Sequence, residues 1–248
     1  MGQVRARSEE LWARRIAASA IDDGLRDAMY ALMQRYYGNV SRAQFAQDLA
    51  GKTAALLLQD RDGLVGFTTL ARYEFLHDGA PLQVVFSGDT IVERDYWGEQ
   101  ELARSWLGEI GRIAATRPAL PLYWFLIAKG HRTYRYLSAF AEEFVPRRAG
   151  AADTAELVRL RDALALQKFG DSFDPQTGVV RFPEARGNLL SEWAEPSARE
   201  AALPDVAYFL KANPGYRAGD ELACLCALSP ANMRPLARRW FDAGRTDG

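Results

Sequence analysis

Two short stretches of the sequence contain side chains that could transfer protons. The run Ser87-Gly88-Asp89-Thr90 places one carboxyl group in an otherwise apolar segment. Burial raises the pKa of a carboxyl group, so Asp89 could accept a proton from an ammonium group. The alternative is a polar strand end in which Asp89 caps a turn. Residues 130–136 offer two phenols and an imidazole, which could exchange protons or could pack and cap a helix.

The overall composition argues against several classes of function. The 248 residues include 31 Lys and Arg against 32 Asp and Glu, for a net charge of −1. This balance gives no electrostatic indication of a nucleic-acid partner. No stretch approaches the roughly 18 apolar residues of a membrane span, and the first residues contain no apolar signal segment. We therefore expect a cytoplasmic protein with no nucleic-acid partner and no membrane span.

Cysteine and histidine are scarce in this chain. Cys224 and Cys226 would point to the same face of a strand, too close in sequence for a relaxed disulfide, and we interpret them as buried thiols. With two histidines and no CxxC pair, we expect no metal site. The motifs of P-loops and of hydrolase nucleophile elbows are also absent.

The first ninety residues predict one edge strand, two helices and three further strands. Candidate N-caps, Asp22 or Asp23 for the first helix and Ser41 for the second, precede apolar residues at helical spacing. Runs of strand-type residues separated by turn residues then predict a hairpin and a following strand. In order, these elements span residues 11–16, 22–36, 41–51, 53–59, 64–75 and 82–92. Gly88 in the last strand predicts a β-bulge or a close approach of another backbone.

The following elements predict a pair of parallel strands. A helix of about five turns over residues 98–116 leads to the apolar run 122–127, which is typical of a strand buried on both faces. Strand, helix and strand form a βαβ unit over residues 82–128, whose strands should be parallel. Residues 221–228 predict a last strand, followed by a closing helix over residues 232–241. The predicted class is α/β, with a mixed, mostly antiparallel sheet flanked by helices.

This order of elements resembles the fold of the GCN5-related N-acetyltransferases (GNAT). In that family one strand, two helices, three antiparallel strands, a helix and a splayed strand build a cleft for an acyl-coenzyme A. The resemblance covers a core of residues 10–145. Residues 146–220 would be a helical and loop insertion, and residues 221–248 the last strand and closing helix. It implies one domain over residues 1–248.

The pyrophosphate-binding turn of the family reads approximately V-x-P-x-[YF]-[RQ]-G-x-G-[IV]-G and corresponds to residues 92–102. The matching positions are Val92, Tyr96 and Gly98. The departing positions are Arg94, Trp97, Gln100 and Leu102. Side chains at Gln100 and Leu102 would crowd the approach of a phosphate to the backbone. Glu99 and Glu101 add negative charge, which stabilises a helix start but competes with a bound anion.

Two interpretations of this turn stay open. It is either an ordinary strand-to-helix turn or a turn that still binds a coenzyme A thioester, with Arg94 or Arg104 on a phosphate. Under the second interpretation, the resemblance implies that the thioester is bound by Ile91, Val92, Arg94, Trp97, Gly98, Glu99, Gln100 and Leu102.

The resemblance also implies catalytic roles. In the family an acid near the bulged strand often serves as general base, a role that falls to Asp89 here. A tyrosine in the helix after the splayed strand often protonates the leaving thiolate, and Tyr134 best fits that position. A phenol with a pKa of about 10 is a suitable donor to a thiolate whose thiol has a pKa of about 8.5. Packing is the alternative role for Tyr134.

These residues together predict an acyltransferase. It would move an acyl group from a coenzyme A or carrier-protein thioester to an amine or hydroxyl of a small molecule. The donor would be acetyl-CoA or a longer acyl-CoA, without a metal. The alternative is a catalytically inactive binding or regulatory module on the same scaffold. The sequence leaves a homodimer open.

Overall fold

The computed structural model describes residues 11–148, 155–184 and 186–246. The strands of these residues are β1 (Trp12–Ala17), β2 (Tyr37–Gly38), β3 (Ala54–Asp60), β4 (Gly63–His77), β5 (Ala80–Val92), β6 (Leu122–Ala128), β7 (Phe173–Asp174), β8 (Val179–Val180), β9 (Asn188–Leu189) and β10 (Glu221–Ala227). The α-helices are α1 (Asp23–Gln34), α2 (Arg42–Ala50), α3 (Glu101–Thr116), α4 (His131–Phe140), α5 (Ala155–Phe169), α6 (Ser191–Ala194), α7 (Ala198–Ala201), α8 (Pro204–Ala212) and α9 (Pro235–Thr246).

Eight of the strands form one twisted sheet in the order β1-β3-β4-β5-β6-β10-β8-β7. Strands β5 and β6 are parallel, whereas all the other neighbours in this sheet are antiparallel. Strands β2 and β9 pair separately as a second, two-stranded sheet. The structure confirms the predicted class, a mixed and mostly antiparallel sheet flanked by helices, with the parallel pair at the predicted βαβ unit.

The helix starts follow from local capping. The carboxylate of Asp22 accepts a hydrogen bond from the amide of Leu25 at 2.7 Å, and the hydroxyl of Ser41 accepts one from the amide of Gln44 at 3.1 Å. Each bond satisfies one of the amides that a helix leaves without a partner in its first turn. Both predicted N-caps are confirmed.

Helices cover both faces of the sheet. On one face, α3 packs its apolar residues against β3, β5 and β6, with α4 and α9 beside it. On the other face, α1 and α2 cover β3 and β4, while α5 covers β5, β6 and β10. Cys224 and Cys226 are free, buried thiols in β10, as the sequence predicts. Asp89, near the end of β5, lies where the part of this face covered by α2 meets the part covered by α5.

The last third of the chain contains more structure than its sequence suggests. Residues 146–220 contribute the short strands β7, β8 and β9 as well as helices α5 to α8. Strand β8 extends the main sheet by pairing with β10, and β9 pairs with β2. The closing helix begins at Pro235 and ends at Thr246, later than the predicted 232–241. Of the helices that the structure describes, none is both long and apolar enough to cross a membrane.

Candidate functional site

Strand β5 loses its regular pairing on both sides at one point. Its register with β4 shifts so that Gly88 and Asp89 lie opposite the single residue Thr69, which confirms the predicted bulge. Its parallel pairing with β6 ends at Ser87 and Leu126, although β5 continues to Val92. The last residues of β5 are therefore released from β6, and a cleft begins here.

This cleft has a volume of about 700 Å³. Its walls are the end of β5, the residues that lead into α3, and α4, and the segment 189–205 closes its far side. Six of the eight residues predicted to bind a thioester line it: Ile91, Val92, Trp97, Gly98, Glu99 and Leu102. The other two, Arg94 and Gln100, do not belong to the described residues that line it.

A smaller cavity of about 40 Å³ continues from the cleft toward the sheet. The residues that line both spaces are Thr90, Leu102, Ala103 and Tyr136. Trp106, Trp124 and Phe140 form its inner end. The polar side chains around it are paired with one another, since the indole of Trp124 donates to Ser87 Oγ at 2.7 Å and the hydroxyls of Thr68 and Thr90 are 2.7 Å apart. The cavity is thus an apolar extension of the cleft.

No family model matches the chain, and no curated protein matches it. Among solved structures, it is similar to an Enterococcus faecalis protein described as a probable N-acyltransferase (12% identity, TM-score 0.42), covering 54% of this chain and 33% of that one. It is also similar to an Escherichia coli GNAT family N-acetyltransferase in complex with CoA (22% identity, TM-score 0.36), covering 53% of this chain and 69% of that one. A third similar structure is the Arabidopsis thaliana NAA60 in complex with a bisubstrate analogue (16% identity, TM-score 0.37), covering 54% of this chain and 86% of that one.

The topology of this chain itself decides the fold. A strand and two helices precede three antiparallel strands, and a helix then leads to a parallel strand that stops pairing halfway along its neighbour. The chain has the GNAT fold. The chain spans about a third of the Enterococcus protein's length.

At the turn that corresponds in sequence to the family's pyrophosphate turn, the carboxylate of Glu101 is neutralised. Glu101 forms a two-pronged ion pair with Arg104, at 2.8 and 2.9 Å, within the first turn of α3. Across the cleft, α4 contributes the arginines Arg132 and Arg135 to the lining. Because Gln100 does not line the cleft, its side chain does not crowd the first-turn amides from that side. The side chain of Leu102, in contrast, lines the cleft, on the side from which an anion would approach this helix N-terminus.

Aromatic rings from distant parts of the sequence meet at the cleft. Trp193 lies 5.3 Å from Tyr36 and 5.6 Å from Trp97, measured between ring centroids. The guanidinium groups of Arg94 and Arg132 lie over Trp193 and Trp97, at 5.7 and 4.4 Å. The pairing of β9 with β2 brings Trp193 here, and nothing local in the sequence indicates that pairing.

The two tyrosines of α4 have different surroundings. Tyr134 is 1% exposed, its hydroxyl donates to the carbonyl of Pro146 at 2.8 Å, and it is not one of the cleft-lining residues. Tyr136 lines both the cleft and the inner cavity, and burial raises the pKa of its phenol. The acid role of Tyr134 stays a prediction, whereas the geometry favours Tyr136 for a group that must face the cleft.

His131, at the start of α4, lines the cleft and is 1% exposed. Its Nε2 lies 3.6 Å from Glu200 Oε1 and has no hydrogen-bond partner within the described part of the chain. Burial lowers the pKa of His131, and the charge of Arg132 lowers it further. Burial alone would raise the pKa of Glu200, but hydrogen bonds from Ser197 and the charge of Arg132 bring it down to about 2. A neutral imidazole therefore lies beside a carboxylate in the cleft wall.

Asp89 faces the side of the sheet covered by α2 and α5. Burial and the carboxylate of Asp48 raise the pKa of its carboxyl group to about 6. The ammonium groups of Lys52 and Lys129 oppose this shift. Asp89 is thus a carboxyl group whose pKa lies close to neutrality, at the residue where β5 leaves β6.

Proposed function

We propose that this chain is an acyltransferase that takes its acyl group from a coenzyme A thioester and passes it to an amine. The observation that carries the proposal is the cleft at the end of the paired part of β5 and β6, lined by six residues predicted for thioester binding. Asp89, with a raised pKa, lies at the same break in the sheet.

The donor fits the cleft chemically. Amides of the first turn of α3 have no partners inside the helix and favour an anion such as a pyrophosphate. Arg135 adds positive charge from the opposite wall, as does Arg132, which also pairs with Glu200, while Glu101 is neutralised by Arg104. The backbone of residues 90–92, no longer paired with β6, is available to the pantetheine arm.

The inner cavity indicates a short acyl group. Its volume of about 40 Å³ has room for a few heavy atoms and not for a long chain. An acetyl group has three heavy atoms, and the rings of Trp106, Trp124 and Phe140 line the space that would hold it. We therefore propose acetyl-CoA, rather than a long-chain acyl-CoA, as the donor.

The two protonation roles follow from position. Asp89 accepts a proton from the ammonium group of the acceptor, so that the free amine can form a bond to the acyl carbon. The thioester supplies that acyl carbon, and its carbon–sulfur bond breaks. Tyr136 holds its proton at neutral pH because burial raises its pKa, and it can donate that proton to the departing sulfur.

Isothermal titration with acetyl-CoA, CoA and octanoyl-CoA tests the donor site. We expect acetyl-CoA and CoA to bind at the same site in competition, and octanoyl-CoA to bind more weakly. A Trp106→Ala variant should gain affinity for octanoyl-CoA by enlarging the inner cavity. A matched control is Trp12→Ala, because Trp12 lies on the edge strand and is 38% exposed.

Release of free thiol from acetyl-CoA in the presence of amines tests the reaction. Absence of binding by every thioester would overturn the proposal. Binding of acetyl-CoA with no thiol release for any amine would favour the inactive binding module instead.

A further inference from the structure

The face of the sheet opposite the cleft carries a charged group of side chains at the β5 bulge. We call Asp48, Lys52, Asp89 and Lys168 the acceptor cluster. Lys52 Nζ lies 2.5 Å from Asp48 Oδ2, and the Lys52 side chain is 4% exposed whereas that of Asp48 is 51% exposed. The cluster therefore runs from the interior, beside Asp89, out to solvent.

Two lysine ammonium groups of the acceptor cluster lie over the ring of Phe86. The ammonium groups of Lys52 and Lys168 lie 5.5 and 4.3 Å from the centroid of its ring. Lys52 is already paired with Asp48, while Lys168 forms no ion pair with any residue that the structure describes. Burial and the charge of Lys52 lower the pKa of Lys168, whereas the charge of Asp48 raises it. Lys168 is exposed, so a ligand from solvent can reach its ammonium group.

The hydroxyl group of Thr69 lies buried beside the bulge. Thr69 is fully buried, and its hydroxyl has no hydrogen-bond partner within the described residues. It lies against Gly88, where an added Cβ would stand 2.6 Å from Lys52 Cε and 2.8 Å from Lys52 Nζ. Glycine at this position is what allows Lys52 to pass close to the bulge, beside Thr69.

We infer that the acceptor is an amine that also carries a carboxylate, such as an amino acid, with its amino group at Asp89 and its carboxylate at Lys168. This inference rests on the proposed acyl transfer and adds the class of acceptor. A carboxylate would form the ion pair that Lys168 does not make with any described residue, and a charge-assisted contact of this kind is among the stronger polar interactions. An amine without a carboxylate would not form this ion pair.

The acceptor class can be measured with pairs of amines that differ only in the carboxylate: phenylalanine with phenethylamine, leucine with isopentylamine, and alanine with ethylamine. Thiol release from acetyl-CoA at pH 7.5 gives kcat/KM for each. We expect at least about a tenfold preference for the amino acid in at least one pair, the effect of one charge-assisted contact. Equal values within every pair would overturn the inference.

Two lysine variants locate the carboxylate. Lys168→Met should raise KM for the preferred amino acid about tenfold, with little change for its partner amine, and Lys168→Arg should restore most of it. Lys211→Met, an exposed lysine on α8, is the matched control and should change neither value. An unchanged KM in Lys168→Met would overturn the assignment.

The same measurements separate this inference from the proposed function. If acetyl-CoA does not bind to the wild-type chain, acyl transfer itself fails. If acetyl-CoA binds and amines are acetylated without regard to the carboxylate, acyl transfer stands and the acceptor class is wrong. If acetyl-CoA binds and neither member of any pair is acetylated, the acceptor class is also wrong.

Discussion

The two faces of the sheet differ in chemistry at the β5 bulge. Toward α3 and α4 lies a cleft of about 700 Å³ with aromatic walls and arginines. Toward α2 and α5 lies the acceptor cluster, which contains both acidic and basic side chains close to Asp89. Under the proposed function, donor and acceptor would approach the break in the sheet from opposite sides.

One additional residue in β5 creates this separation. Successive side chains of a strand alternate between its faces. Ser87 faces the α3 side, where it bonds Trp124, and Thr90 lines the cleft on that same side. Because the bulge places two residues between them, Asp89 turns to the opposite face, among Asp48 and Lys52. A regular strand would have placed residues 87 and 90 on different faces.

The largest effect should come from removing the base. Asp89→Asn keeps the shape of the side chain but cannot accept a proton, so we expect turnover to fall by about 10²- to 10⁴-fold. In the wild-type chain, kcat/KM should rise as pH increases through about 6, because only the ionised carboxylate is a base. The Asp89→Asn variant should lose this rise of kcat/KM with pH and keep its affinity for acetyl-CoA. An unchanged rate would remove Asp89 from the mechanism.

The two tyrosines of α4 sharpen the comparison between cleft and core. Tyr136→Phe should lower turnover by about 10²-fold or more while the chain stays folded. Tyr134→Phe should keep turnover and lose about 1 kcal/mol of stability, because it removes the hydrogen bond to Pro146. Steady-state kinetics and urea denaturation of both variants measure this. The reverse pattern would restore Tyr134 as the acid.

A substitution at Gly88 tests the packing at the β5 bulge directly. In Gly88→Ala the new methyl group would collide with Thr69 and with Lys52, and we expect a loss of about 1–3 kcal/mol in the free energy of unfolding. Gly24→Ala in α1 is the control, because its Cβ would lie 3.6 Å from the nearest atom, at ordinary contact distance. A thermal melt in which both variants behave alike would contradict the packing described for the bulge.

The smallest effect concerns the pH dependence of stability. Burial lowers the pKa of His131, so below about pH 6.5 the unfolded chain binds a proton that the folded chain resists. Its contribution is present above that pH and is lost as the pH falls. His131→Asn should reduce the fall in the free energy of unfolding between pH 7 and pH 5, measured by urea denaturation, by no more than about 1.4 kcal/mol per pH unit. An identical fall in the stability of both proteins would contradict this role of His131.

Much of the fold could be predicted from the sequence because it rests on local signals. Asp22 and Ser41 cap helices whatever lies far away, and a glycine inside an apolar strand indicates a bulge wherever the strand is placed. The parallel pairing of β5 and β6 follows from the helix between them. These elements were predicted correctly.

The remainder depends on contacts between distant residues. Tyr134 and Tyr136 are two positions apart, so they point to nearly opposite sides of α4, and the sequence does not show which side faces the cleft. Strands β2 and β9 have two residues each, too few for an alternation to be visible, yet their pairing brings Trp193 to the cleft. Lys168 likewise reaches Phe86 through the packing of α5 on the sheet.

The position of β10 beside β6 has a consequence for synthesis of the chain. Residues 129–220 separate the two strands, so β6 reaches the ribosomal exit long before the strand that covers its second edge. During that interval an apolar strand presents unpaired amides and carbonyls, which is the arrangement that invites association with other nascent chains. We expect expression at lower temperature, or with additional chaperones, to raise the yield of this protein more than that of a GNAT chain without such an insertion.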